Sequence, residues 1–314
     1  MTFRLKLAAM VAVAGIAWSS GSAKAWHAAG HMMVAAVAWD QMTPTARARA
    51  IELLKLNPDY NSWIAGVADA EKDKTAFMRA ATWPDDIKNP FTHAGFRDDG
   101  ETPTDPNASA NLGYTDKLMH KYWHYIDLPF SPDKTKLIQP QTPNGETQIR
   151  AFRSAIAGTA SDDVKSYDIA WLIHLVGDVH QPLHATSRFT KLFKKGDNGG
   201  NNVKIKCSPN DCGANLHSFW DGLMDANKTP AAMIAAAAAL PKAPASAAAQ
   251  ADPRTWINES FAIAKKSVYR APIGTKNTTF TLSKSYQTAA MTIGRARIAL
   301  AGARLARLFN DNLK

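Results

Sequence analysis

Cysteine is almost missing from this chain, with two in 314 residues. That excludes a disulfide-dense scaffold and leaves too few thiolates for a sulfur-bound zinc site. Acid is scarce relative to base: 27 Asp and Glu stand against 37 Lys and Arg. The resulting net charge of +10 favours a polyanionic partner, and it also suits many exported proteins. The chain has no internal repeat, which argues against solenoid and propeller architectures. Beyond residue 25 it has no long apolar run, so nothing there reads as a membrane span.

The one apolar run lies at the start, from Leu7 to Trp18, after Arg4 and Lys6 and before the small-residue stretch Ser19 to Ala25. It is too short to cross a bilayer of roughly 30 Å, and Ala23-Lys24-Ala25 reads as a signal-peptidase site. Residues 1–25 are therefore expected to be a cleaved signal peptide, and residues 26–314 a single domain. Loss of Arg4, Lys6 and Lys24 leaves the remainder basic. Cleavage would make Trp26 the N-terminus, with His31 shortly after it. A free α-amino group and its neighbouring carbonyl can chelate a metal, whereas an internal amide nitrogen cannot readily do so. Export also favours a local disulfide between Cys207 and Cys212, in the loop-like sequence Cys207-Ser208-Pro209-Asn210-Asp211-Cys212.

Helical periodicity dominates the rest. Thr43-Pro44 followed by Ala46 to Leu56 reads as an N-cap, a proline at the first helical position and an amphipathic helix. Further helices are predicted near 31–40, 62–79, 148–157, 162–179, 215–224, 253–269 and 282–313. In the last, Arg295, Arg297, Arg304 and Arg307 alternate with apolar positions and read as a solvated face with no substrate role. Residues 86–118 and 187–214 read as long loops, the second carrying Lys191, Lys194 and Lys195 before a Gly- and Asn-rich turn. The alanine-rich stretch 231–251 reads as helix plus a surface excursion. Asn107, Asn227, Asn258 and Asn277 open Asn-x-Ser/Thr triplets, which matter only in a host that glycosylates exported proteins.

Several of the nine histidines sit at metal-binding spacings. His174 and Asp178 are four apart in an apolar helical pattern and share a face; His217 and Asp221 repeat the arrangement. Each pair alone also suits a core histidine oriented by a carboxylate, or a surface ion pair. The apolar setting of Asp178 shifts the balance, because burying an unpaired carboxylate is costly and a divalent cation removes that cost. Pro182 breaks the helix and aims His184 elsewhere, while His180 is either a further ligand or, being beside the break, a supporting or surface residue. Asp85, in Trp83-Pro84-Asp85, and His124, between Trp123 and Tyr125, are further candidates that could equally be structural.

Taken in order, Trp26 and His31, Trp83-Pro84-Asp85, His124-Tyr125-Ile126-Asp127, His174 with Asp178 and His184, and His217 with Asp221 resemble the zinc-dependent single-strand-specific nuclease family. That family is related to the zinc phospholipases C. The resemblance spans Trp26 to Asp221 by motif and implies an all-α, single-domain multi-helix bundle enclosing a trinuclear zinc cleft, with long loops. It implies three zinc ions per monomer: one on Asp85, His124, His174 and Asp178; one on His184, His217 and Asp221; one on the amine and carbonyl of Trp26, His31 and a shared oxygen of Asp178. His27, His93, His120 and His180 are left without a role.

The resemblance further implies a metal-activated hydroxide that hydrolyses phosphodiesters to 5′-phosphate products, with Asp85 orienting it and Lys88 stabilising the transition state. Lys88 keeps the charge of an arginine and loses its fork. Tyr125 would stack on a base, Asp127 would bond its edge, and Gly199 and Asn201 would complete the pocket. The expected protein is thus a periplasmic or secreted monomer with no stable membrane association, acting on RNA and single-stranded DNA and also as a 3′-nucleotidase. A phospholipase C on the same scaffold is the alternative, and a non-catalytic zinc-binding protein is a third reading; retention of both Asp85 and Lys88 argues against the latter.

Overall fold

The computed structural model describes residues 26–207, 212–224 and 229–313. The expected signal peptide and the triplet asparagine Asn227 lie outside the described residues. Helices dominate: α1 (Ala28–Gln41), α2 (Pro44–Leu54), α3 (Tyr60–Ile64), α4 (Lys72–Ala80) and α5 (Trp83–Asp86) form the first half. After a long loop come α6 (Gly145–Ala157) and α7 (Asp162–Asp178), then the short α8 (Leu216–Asp221). The chain closes with α9 (Pro230–Ala238), α10 (Ala245–Ala248), α11 (Pro253–Ile263) and α12 (Lys284–Asn312). Two short parallel strand pairs, Pro129–Phe130 with Ser187–Arg188 and Ile205–Cys207 with Phe280–Leu282, staple the loops. The all-α expectation holds.

Two helices form the centre because their sequences leave almost no polar face. In α1 the run from Ala29 to Ala36 is buried on every side, and in α7 every residue from Ser166 to Asp178 is buried. A helix that is enclosed all round belongs in the middle of its domain. α1 packs on α4, α7, α9 and α12, and α7 packs on α2, α5, α6 and α12. Local signals set the ends: Thr43 Oγ1 accepts from Ala46 N with Pro44 at the first helical position, and Asn144 and Thr147 form a reciprocal capping box.

Three expectations need correction. The helix expected over 62–79 is broken into α3 and α4, because Gly66 takes a left-handed φ of +72° between them. The helix expected over 253–269 ends its regular part at Ile263 and continues as a wider turn over Ala264–Val268. The arginines of α12 are not all solvated: Arg297 and Arg304 are 5 % and 1 % exposed, both paired with Glu259. Periodicity put them on one face, and that face turns inward. The expected disulfide joins Cys207 to Cys212. Among the described residues no helix is long and apolar enough to cross a membrane.

Candidate metal centre

The last turns of α7 bring His174 and Asp178 to one buried face, and five other segments converge on it. α1 contributes His31, α5 contributes Asp85, and a short turn over Lys121–His124 contributes His124. Beyond the break at Pro182, a second turn delivers His184, and α8 carries His217 and Asp221. Three groups result, the first two sharing His174: His31, Asp85 and His174; His124, His174 and Asp178; and His184, His217 and Asp221.

In the first region His124 Nδ1 lies 3.0 Å from Asp178 Oδ2, and His174 Nε2 lies 3.3 Å from the same oxygen. The other oxygen, Asp178 Oδ1, is 3.2 Å from His31 Nε2. One carboxylate therefore faces ligand candidates on both sides. Asp85 Oδ1 approaches His174 Nε2 to 3.9 Å, and the His31 and His174 rings stack with centroids 3.8 Å apart. In the second region His217 Nε2 is 3.3 Å from Asp221 Oδ2, and His184 Nε2 is 3.9 Å from Asp221 Oδ1.

The far nitrogens explain why these rings are so fixed. His174 Nδ1 donates to Ala81 O, His184 Nδ1 to His124 O and His217 Nδ1 to Gly199 O, each at 2.7 Å. That assignment leaves the inward nitrogens of His174, His184 and His217 as lone pairs: His184 Nε2 and His217 Nε2 face one another at 3.0 Å, while His174 Nε2 lies 2.9 Å from His124 Nδ1. Facing lone pairs in a dry site repel unless a cation lies among them. Both nitrogens of His31 and Asp178 Oδ1 are likewise buried with no hydrogen-bond partner. The donor set is all imidazole and carboxylate, with backbone carbonyls behind it, and so fits zinc or a similar divalent ion.

Electrostatics favour the same conclusion. Burial, with His174 alongside, lowers His31 to about 4; burial and Lys88 lower His124 to about 3; burial and His184 lower His217 to about 3. Burial also lowers His184. These rings are neutral donors at neutral pH. Burial lowers His174 too, but the carboxylates of Asp178 and Asp85 outweigh it and the net shift is upward. Burial would raise Asp178 and Asp85; the surrounding histidines pull the first far down, and Lys88 with the histidines holds the second well below the usual carboxylate range.

Around this cluster lie the expected substrate residues. Lys88 Nζ makes a 2.8 Å ion pair with Asp85 Oδ1. Tyr125 and Asp127 line a cavity of about 150 Å³ together with Glu101, Gln139, Phe189 and Lys195. Tyr125 Oη donates to Glu101 O at 2.8 Å, and burial, with Asp197 and Glu101 near, pushes Asp127 up to about 7. Gly199 and Asn201 stand outside that lining. Gly199 has a φ of +55°, and a Cβ there would meet Leu183 O at 2.7 Å, so a glycine is needed for its carbonyl to reach His217. Asn201 Nδ2 donates to Asn198 O and closes the turn.

Trp26 is fully buried, its indole donating to Gly177 O at 3.1 Å, and His27 N donates to Asp221 O at 3.1 Å. The segment at Trp26 and His27 is thus held between α7 and α8.

A family model for the S1/P1 nucleases matches residues 26–314, from the first of these residues to the end of the chain. The chain belongs to the S1/P1 nuclease family. Endonuclease 4 of Arabidopsis thaliana is 27 % identical over 244 residues, which is 66 % of this chain and 77 % of that protein. Endonuclease 2 of the same plant is 26 % identical over 126 residues, 34 % of this chain and 40 % of that protein. This S1/P1 family member is accordingly a nuclease, a hydrolase of phosphodiester bonds.

Sequence reasoning missed one polar residue of the nuclease centre. Gln181 Nε2 donates to Asp221 Oδ1 at 2.6 Å, tying the turn after α7 to the second group. Its position just before Pro182 was the available signal. Three of the four remaining histidines are structural: His120 is bonded to Asp116 and stacked on Trp123, His93 is bonded to Asp59, and His180 is buried against Arg304.

Proposed function

We propose that this nuclease is an exported zinc enzyme that cleaves RNA and single-stranded DNA to 5′-phosphate products and also removes 3′-phosphates from nucleotides. The observation that carries the reading is the pair of imidazole contacts, His174 with His124 and His184 with His217, beside the three carboxylates of Asp85, Asp178 and Asp221 and the buried side chain of Lys88. Three zinc ions are proposed: on Asp85, His124, His174 and Asp178; on His184, His217 and Asp221; and on His31, Asp178 and the main-chain groups of Trp26. When bound, zinc supplies Lewis acidity toward phosphate oxygens and a source of hydroxide near neutral pH.

The chain's own residues do the rest. Asp85, ionised through its contact with Lys88, accepts a hydrogen bond from the attacking oxygen and orients it. Lys88 places a positive charge where the phosphorane gathers negative charge. Tyr125 offers a ring face at a cavity too small for more than a single base, with Asp127 beside it and the Gly199–Asn201 loop nearby. Near neutral pH a half-protonated Asp127 can both donate to and accept from a base edge. A base must be unstacked to enter, which favours single strands over duplex. The Cys207–Cys212 disulfide and the signal-like leader support export, to the periplasm or the medium, after cleavage behind Ala25.

The test uses protein processed to begin at Trp26, incubated with RNA, single-stranded DNA, duplex DNA and phosphatidylcholine, with and without chelator. Cleavage of the two single-stranded substrates, lost with chelator and restored by zinc, is expected. Preferential hydrolysis of phosphatidylcholine would instead favour the phospholipase C reading, and chelator-insensitive cleavage would overturn both.

A further inference from the structure

The turn that links the two ligand regions, from Asp178 to His184, has its backbone carbonyls gripped by a buried polar network on α11 and α12. Helix α7 ends at Asp178, so its last carbonyls need partners from outside the helix. Val176 O accepts from His180 Nδ1 at 2.7 Å, Gly177 O from His180 N at 3.1 Å, and Asp178 O from Gln181 N at 2.9 Å. The next two carbonyls are met by distant side chains. Ser260 Oγ donates to Val179 O at 2.6 Å, and Arg297 Nε donates to His180 O at 3.1 Å. Arg297 Nη2 also donates to Ser260 Oγ at 2.8 Å, so the two donors are coupled.

Glu259 and Arg304 brace this pair. Glu259 Oε2 accepts from Arg297 Nη1 at 2.9 Å and from Arg304 Nη1 at 2.7 Å, while Oε1 accepts from Arg304 Nη2 at 2.8 Å. Arg304 Nη1 reaches His180 Nε2 at 2.9 Å, fixing the side chain of the residue whose carbonyl Arg297 holds. Buried ion pairs of this kind are weak evidence for stability, since apolar packing of equal volume is often as stable. What they provide here is direction. Each donor ends on the main chain within two residues of Asp178, which borders one ligand region, on the turn that leads to His184, which borders the other.

We infer that Ser260 and Arg297, braced by Glu259 and Arg304, are positioning residues that set the separation between the His124/His174/Asp178 group and the His184/His217/Asp221 group. The inference rests on the zinc reading given above. A site of this sort tolerates displacement of only about 0.5 Å. Loosening either carbonyl therefore disturbs both regions at once, through Asp178 on one side and through Gln181 and His184 on the other.

The experiment compares Ser260→Ala, Arg297→Met and Ile257→Ala with the processed wild-type protein. Ile257 is a fully buried residue of α11 with an apolar side chain that cannot bond the turn, so its truncation lowers stability by cavity formation alone. Three quantities are measured: the visible absorption bands of Co(II)-substituted protein, Zn(II) retention against a competing chelator, and kcat and KM on single-stranded DNA. Ser260→Ala and Arg297→Met are expected to shift the Co(II) bands, weaken Zn(II) retention about tenfold and lower kcat at unchanged KM. Ile257→Ala should lower Tm and leave the bands in place. If Arg297→Met does not fold, Ser260→Ala carries the test alone. Wild-type bands, retention and kcat in Ser260→Ala overturn the inference, as does an equal band shift in Ile257→Ala. A wild-type protein that binds neither metal removes the zinc reading and this inference together; a wild-type protein that binds both while Ser260→Ala matches it removes only the inference.

Discussion

Lys88 Nζ lies 2.8 Å from Asp85 Oδ1 across a single turn, with their side chains 4 % and 9 % exposed. An ammonium held this close to a proposed ligand carboxylate is shielded from water, and its proposed role is to meet the phosphate. Lys88→Met is expected to lower kcat by about 10²–10³-fold while zinc per protein stays the same, as for loss of one transition-state donor. Lys88→Arg should keep most of the activity. Asp85→Ala should abolish turnover and leave most of the zinc bound. Steady-state rates paired with metal analysis check all three variants, and an unaltered kcat in Lys88→Met would remove that residue from the mechanism.

Asp127 is raised to about 7 by burial and by its acidic neighbours Asp197 and Glu101. Below that pH it carries a proton to donate; above it, it can only accept. KM for nucleotides should therefore rise between pH 6 and pH 8 in the wild type. Asp127→Asn, which keeps one donor and one acceptor at every pH, should flatten that rise, and Asp127→Ala should raise KM about tenfold throughout. A flat wild-type profile would contradict the role.

The metal-free protein should be acid-sensitive for a reason that can be traced to particular rings. His31, His124 and His217 are held near 4, 3 and 3, below their unfolded value of 6.5. Between those limits the unfolded chain binds protons that the folded chain refuses, so stability is full above about pH 6.5 and falls as pH drops toward 4. Chelator-treated protein should take up about three protons from these rings on unfolding near pH 5. Tm measured across pH 4.5–7 tests this, and a Tm independent of pH would show that the rings are not buried neutral.

Trp26 is pinned by its indole to Gly177 and by the next residue to Asp221. A preparation retaining one residue ahead of Trp26 has no free amine at that point. It should bind one zinc fewer and lose most of its activity, as read by metal stoichiometry and by cleavage of single-stranded DNA. Full activity with an extra residue would rule out the terminal amine as a ligand.

Much of this was visible in the order of the residues. The pairs His174 with Asp178 and His217 with Asp221 announce themselves because helical spacing alone puts them on one face. Thr43-Pro44 marks the start of α2 for a similarly local reason. What stayed hidden depends on long-range packing. Nothing local says that Arg297 and Arg304 face Glu259 and His180 instead of water, because an amphipathic pattern gives a face and not its neighbour. The break between α3 and α4 was legible only as Gly66, one glycine in a pattern that otherwise continues. Gly199 was assigned to base binding by resemblance, and its carbonyl bond to His217 depends on a turn whose shape spacing does not encode.

The carbonyls of Ala81, His124 and Gly199 decide which nitrogen of His174, His184 and His217 bears the hydrogen. Each of these oxygens belongs to a different stretch of chain from the ring it serves. The correct tautomers are therefore not fixed in a half-assembled molecule, and no fragment of the sequence carries a working portion of the site. Nucleolytic competence arrives with the last of the packing, so a partly folded chain is harmless to the nucleic acid around it.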